Sequence, residues 1–95
     1  MIYLPLVYED IKETNDFYNS RKKGLGKEFV NTVKLEFRTI LQNPLLYEIK
    51  YKITRIAFMK RFPFRIHFEI QENTNHIVVK GIYHTARNSE IWYKR

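Results

Sequence analysis

The chain has 95 residues, 44% of them hydrophobic and 16% aromatic. That is enough apolar material for one packed core but too short a chain for two, and the composition is far from that of a disordered segment. A formal net charge of +7 with no cysteine favours an acidic or polyanionic partner and excludes disulfides, thiolate chemistry and the usual structural zinc sites.

No window approaches the roughly 18 consecutive apolar residues of a membrane span. The start, "MIYLPLVYEDIK", lacks the basic segment and long apolar run of an export signal. A single soluble cytoplasmic domain over 1–95 is expected. The three histidines, at 67, 76 and 84, have no spacing that suggests a metal cage, and no cofactor is implied.

Ile2 to Leu4 reads as a short strand, closed by Pro5, which has no amide to give to a ladder. Between Tyr8 and Ser20, apolar residues at 3–4 residue spacing predict a helix, with Glu9, Asp10 and Glu13 near the positive end of its dipole. Arg21, Lys22 and Lys23 suit the opposite end, and Gly24 suits the C′ position. A second helix is expected from Leu25 to Gln42, where Leu25, Phe29, Val33, Phe37 and Leu41 recur at i+4. Asn43-Pro44 stops it, because a residue before proline is pushed out of the α region. The short Gly turn makes the two helices an antiparallel hairpin whose apolar face needs a cover.

Three strands supply that cover: Ile53–Met59, Phe64–Gln71 and Ile77–His84. In the second, Phe64, Ile66, Phe68 and Ile70 share one face, and Arg65, His67, Glu69 and Gln71 the other. "IVVKGIY" is apolar on both faces, "ENTN" suits a hairpin turn, and "NSEIWYKR" suits a short helix or tail capped by Asn88 or Ser89. The predicted class is α+β: a small antiparallel β-sheet packed against an N-terminal α-helical hairpin, in the order β-α-α-β-β-β plus a short C-terminal helix or tail. Positive charge concentrates in the second half, where Lys50, Lys52, Arg55, Lys60, Arg61 and Arg65 follow one another with no acid between Glu48 and Glu69. Such clustering marks either a binding face or a basic surface kept for solubility.

"DIKETNDFYNSRKKGLGKEF", then "ILQNPLLY", "RIAFMKRFPFRIHFEI" and "GIYHTARNSEIWYKR" resemble, in that order and over nearly the whole chain, the toxins of type II toxin–antitoxin systems in the RelE/ParE superfamily, the ParE branch in particular. The resemblance implies the fold just derived and a cognate antitoxin whose acidic or amphipathic C-terminal segment folds along the toxin. It implies growth inhibition through one of two targets. ParE-like members block DNA gyrase by binding; RelE-like members cut messenger RNA on the ribosome. A family member that only binds its antitoxin is a third reading, and a homodimer or a toxin–antitoxin hetero-oligomer fits any of them.

Under the ParE-like reading, Arg55, Lys60, Arg61, Arg65, His84 and Arg87 are the candidates for contact with the target. Under the ribonuclease reading, attack by a 2′-hydroxyl requires proton-transfer groups and cations, for which Arg61, Arg65, His84, Arg87 and Tyr93 are the candidates. His84, Arg87, Arg61 and Arg65 are expected to meet near one end of the sheet. His84 resembles a histidine near the C-terminus of some ribonuclease members, yet "HTxR" also occurs in the ParE-like pattern, where the resemblance implies packing and tail positioning. Arg61 is as readily a hairpin arginine held by a carboxylate such as Glu90, and Arg65 part of an ordinary solvated face. His67 and His76 are expected to be bland, and Trp92 to pack on the sheet. Lys60 and Lys80 are possible stand-ins for ribonuclease lysines, but no glutamate is clearly placed for the chemistry.

Overall fold

A computed structural model describes residues 1–86. It contains β1 (Ile2–Tyr3), α1 (Pro5–Arg21), α2 (Leu25–Gln42), a 3-10 turn (Pro44–Leu46), β2 (Ile49–Tyr51), β3 (Thr54–Phe58), β4 (Phe64–Gln71) and β5 (His76–His84). The fold is α+β, with a helical hairpin followed by strands that close one five-stranded sheet in the order β1-β5-β4-β3-β2. Arg87, Tyr93, Trp92 and the expected tail helix lie outside the described residues.

The sheet is mixed rather than wholly antiparallel, because β1 pairs with β5 in parallel, Ile2 opposite Val78 and Tyr3 opposite Val79. Local alternation carries no information on that pairing, which joins the two ends of the described chain. Helix α1 begins at Pro5, earlier than the periodicity indicates. Proline is at home at the first helical position, where the missing amide has no intrahelical partner to lose. The early start leaves no acid in the first turn, so Glu9, Asp10 and Glu13 sit beyond the close reach of the helix dipole. β2, which the sequence does not announce, is a three-residue edge joined to β3 by a two-residue turn at Lys52 and Ile53, with Lys52 at φ 50°.

Both glycines of "GLG" have a physical reason. Gly24 turns the chain at φ 86°, in the left-handed region, and caps α2 rather than ending α1. Gly26 lies where the helices touch: a Cβ there would run into the Asn15 carbonyl oxygen. Its amide donates to Asn19 Oδ1 at 2.9 Å, so α1 supplies the capping acceptor that Gly24 lacks.

The hairpin covers one sheet face. Val7, Phe29, Val33 and Ile40 from the helices meet Ala57, Ile66, Phe68, Val79 and Ile82 from the strands. Toward the β3–β4 end, Tyr18, Phe29, Phe62 and Phe64 stack with ring centroids 5.1–6.4 Å apart. Each fully buried side chain of this size contributes on the order of 1.5–3 kcal/mol by leaving water. Tyr47 fastens the link from α2 to β2, donating to Glu36 Oε1 at 3.0 Å while its carbonyl accepts from Arg55 Nη1 at 2.6 Å.

β5 contains a bulge. Phe68 stands opposite Val79, but His67 stands opposite Gly81, so Lys80 is an extra residue on that strand. Every side chain beyond it changes face, as a one-residue slip requires. Ile82 thereby joins the core, Tyr83 turns to the outer face, and His84 turns to the helical side.

Candidate functional site

The bulge separates residues that simple alternation puts together. Strict alternation along β5 would place His84 on the face of Arg65; in the structure His84 pairs across from Phe64 and Arg65 from Tyr83. His84 therefore faces α1, at one wall of a cavity of about 280 Å³ that Asp10, Glu13, Tyr18 and Phe64 also line. Its ring meets Phe64 edge-on at 5.1 Å, and its Nδ1 accepts from the Ala86 amide at 3.0 Å. Asp10, nine-tenths buried, accepts the Ile82 amide at 3.0 Å. It satisfies a strand donor on the side of β5 that the two-residue β1 is too short to cover.

Arg61 reaches to the helices as well, pairing with Glu28 of α2 at 2.9 Å while both side chains stay half exposed. The expected carboxylate partner, Glu90, lies outside the described residues. Lys60 is exposed beside Arg61 in the turn between β3 and β4. Arg55 is bound to the Tyr47 carbonyl, which gives it a structural task that its position in a basic run did not reveal.

The outer sheet face holds a different cluster. Arg65 lays its guanidinium 5.0 Å from the ring centroid of Phe58, which is 53% exposed. Deeper on that face, His67 is fully buried, shares a 2.8 Å hydrogen bond with the Tyr51 hydroxyl through Nδ1, and meets Tyr83 edge-on at 4.6 Å. Lys80, aimed by the bulge, donates to Thr54 Oγ1 at 3.2 Å and lies 3.5 Å from Glu69 Oε2. Its ammonium also stands 5.3 Å over the Tyr51 ring.

So β4's outer face is not the solvated one that alternation suggests at His67. Tyr51 from β2 and Tyr83 from β5 close over it, because register places one on the flanking hairpin and the other beyond the bulge. The signal that was available is Gly81 within an otherwise apolar strand, which marks bulges. The tyrosine flanking required the register itself. Phe58 also went unnoticed, since nothing local distinguishes an exposed strand aromatic from a core one.

Chemically, the outer face joins a cation-stacked aromatic at its rim to a buried histidine–tyrosine pair and a neutralised Lys–Glu pair farther in. Among the described residues no three of His, Asp and Glu gather as a metal site requires, and no helix is long and apolar enough to cross a membrane. No family model matches the chain, and no curated protein matches it.

Proposed function

We propose that the chain is the toxin of a type II toxin–antitoxin pair, similar to the RelE/ParE superfamily, and that it acts as ParE-like toxins do, by binding DNA gyrase. An antitoxin with an acidic or amphipathic segment would hold it inactive. The observation that carries the binding reading is the β3–β4 end: exposed Phe58 with Arg65 stacked on it, near the exposed Lys60 of the following turn. Exposed aromatic and arginine side chains in contact are the composition of a protein-binding hot spot. The division of the expected proton-transfer set adds support. Arg61 and His84 face the helices, Arg65 faces away, and a phosphodiester cannot touch both sides of a sheet at once.

One observation favours the second reading, a ribosome-dependent messenger endoribonuclease. The Tyr51 hydroxyl, hydrogen-bonded to the buried His67 ring behind it, is a candidate proton-transfer group on the same face as Arg65 and Lys80. Brief induction without antitoxin, followed by plasmid topology and mapping of messenger 5′ ends, separates the two. Trapped or linearised DNA with intact transcripts is expected, and a Phe58→Ala/Arg65→Ala variant should lose that effect while remaining folded. New codon-phased 5′ ends with normal topology would overturn the gyrase reading. In that case His84→Ala tells whether His84 takes part in cleavage. Unimpaired growth with soluble protein would leave only the antitoxin-binding role.

A further inference from the structure

Much of the chain's charge is gathered at one end. Arg21, Lys22 and Lys23 close α1, Lys27 stands in the first turn of α2, and Lys60 and Arg61 lie in the β3–β4 turn; all six are exposed. The two turns touch. Arg61 Nη2 lies 2.9 Å from Glu28 Oε2, and Tyr18 of α1 packs on Phe62 with ring centroids 5.1 Å apart. The carboxylates of this end are Glu28, which Arg61 already neutralises, and Asp16. Six cations against two acids leave +4 here, of the chain's +7.

The fold itself gives no reason for this crowding. Arg21 to Lys23 suit the negative end of the α1 dipole, but Lys27 stands at the positive end of α2, where a cation is disfavoured. Those opposed helix ends meet at the Gly24 turn and offset each other, so the field is that of the side chains. Among the described residues, no carboxylate pairs with Lys22, Lys23, Lys27 or Lys60. A polyanion laid across this end would relieve their repulsion.

The neighbouring aromatics narrow the kind of polyanion. Phe17 and Phe58 are half exposed, but the Arg21 guanidinium lies 4.9 Å from the Phe17 centroid and that of Arg65 5.0 Å from the Phe58 centroid. Unpaired bases bind by stacking on open aromatic faces, and here arginine already covers them. Lysines acting as point charges suit phosphates and carry no sequence reading.

We propose that the tip of the helical hairpin and the β3–β4 turn together bind the phosphate backbone of duplex DNA, without regard to sequence. The charge stands without the gyrase reading, and only its use rests on it: a toxin held on a topoisomerase through Phe58 and Arg65 would bring these cations toward the DNA that the enzyme holds.

A labelled duplex of about 30 base pairs, titrated with the whole chain in the absence of gyrase at about 50 to 200 mM salt, reads affinity and its salt slope together. The five cations other than Arg61 predict a log–log slope of about −4 to −5, at about 0.9 ion for each phosphate contacted. Lys22→Gln/Lys23→Gln/Lys27→Gln should weaken binding by at least about tenfold and make the slope shallower by roughly 3. Lys12→Gln/Lys34→Gln/Lys50→Gln removes the same net charge from exposed positions outside this end and should cost less than about threefold, through the screened long-range field alone. Equal losses from the two variants would show a response to net charge only and overturn the proposal. So would a single strand bound as tightly as the duplex, an RNA duplex bound more tightly than DNA, or no binding at the lowest salt. With gyrase absent from the titration, none of these outcomes bears on the toxin's target, which plasmid topology tests separately.

Discussion

Replacing Gly26 by alanine sets two well-understood effects against each other. Inside a helix, Gly→Ala normally gains about 0.5–1 kcal/mol by restricting the unfolded chain and improving helix propensity. At Gly26 the new methyl would collide with the Asn15 carbonyl oxygen and lie 2.5 Å from Asn15 Oδ1 and 2.8 Å from Asn19 Cγ. The Asn15 amide can swing aside, but the carbonyl belongs to the backbone of α1 and moves only with the helix. Overpacking of this kind costs about 1–3 kcal/mol, and parting the helices also stretches the Gly26–Asn19 hydrogen bond, worth about 0.5–1.5 kcal/mol. The expected net loss is about 1–3 kcal/mol, or a fall in Tm on the order of 5–20 °C for a domain of this size. Thermal unfolding followed by circular dichroism, with urea titration to check the slope, reads it directly. A variant as stable as the parent would refute the close approach. Gly24→Ala is the control: it has open space around it but φ +86°, so only the left-handed penalty of about 1–2 kcal/mol should appear.

Two further outcomes follow from buried polar groups. Asp10→Ala removes the acceptor of the Ile82 amide and should cost about 1–3 kcal/mol, with faster hydrogen exchange at Ile82 than at Ile66; equal exchange would show that Asp10 does not guard that edge. The Tyr47 phenol is pushed up to about 12, first by burial and then by its hydrogen bond to Glu36. The unfolded chain releases this proton near the ordinary value of 10. Tyr47 therefore favours the folded state below pH 10 and loses that effect as pH climbs toward 12. Tyr47→Phe should make the alkaline decline in stability shallower and remove one late phenolate step from the absorbance titration; an unchanged titration would place that step on another tyrosine.

How far the sequence could be read depended on whether its signal was local. α2 was legible to the residue, because an i+4 apolar row with a Pro stop is strong and self-contained. β4 was legible for the same reason, as strict alternation over eight residues. β2 was not, because Ile49-Lys50-Tyr51 is too short to show a period and becomes a strand only by pairing with β3. The site suffered most from one non-local fact. His84 and Arg65 do lie on neighbouring strands near one end, as expected, but the extra residue at Lys80 turns them to opposite faces. His67 looked unremarkable for a related reason: alternation says which way a side chain points, not what the neighbouring strands lay over it. The resemblance supplied an expected fold and candidate roles, but neither of those orientations.

The parallel pairing of β1 with β5 bears on how the molecule is made. β5 leaves the ribosome after every other described element, yet it lies between β1 and β4 and carries Val79 and Ile82 into the core. Until it arrives, β1 has no neighbour, β4 has one, and the helical hairpin has only part of its cover. At typical elongation speeds, the stretch from β1 to the end of β5 takes on the order of 5–15 s to synthesise, and the sheet cannot close before that stretch has emerged. Synthesis itself thus imposes a latency, in which the nascent chain presents apolar helices to any waiting protein before it has a finished surface with which to act.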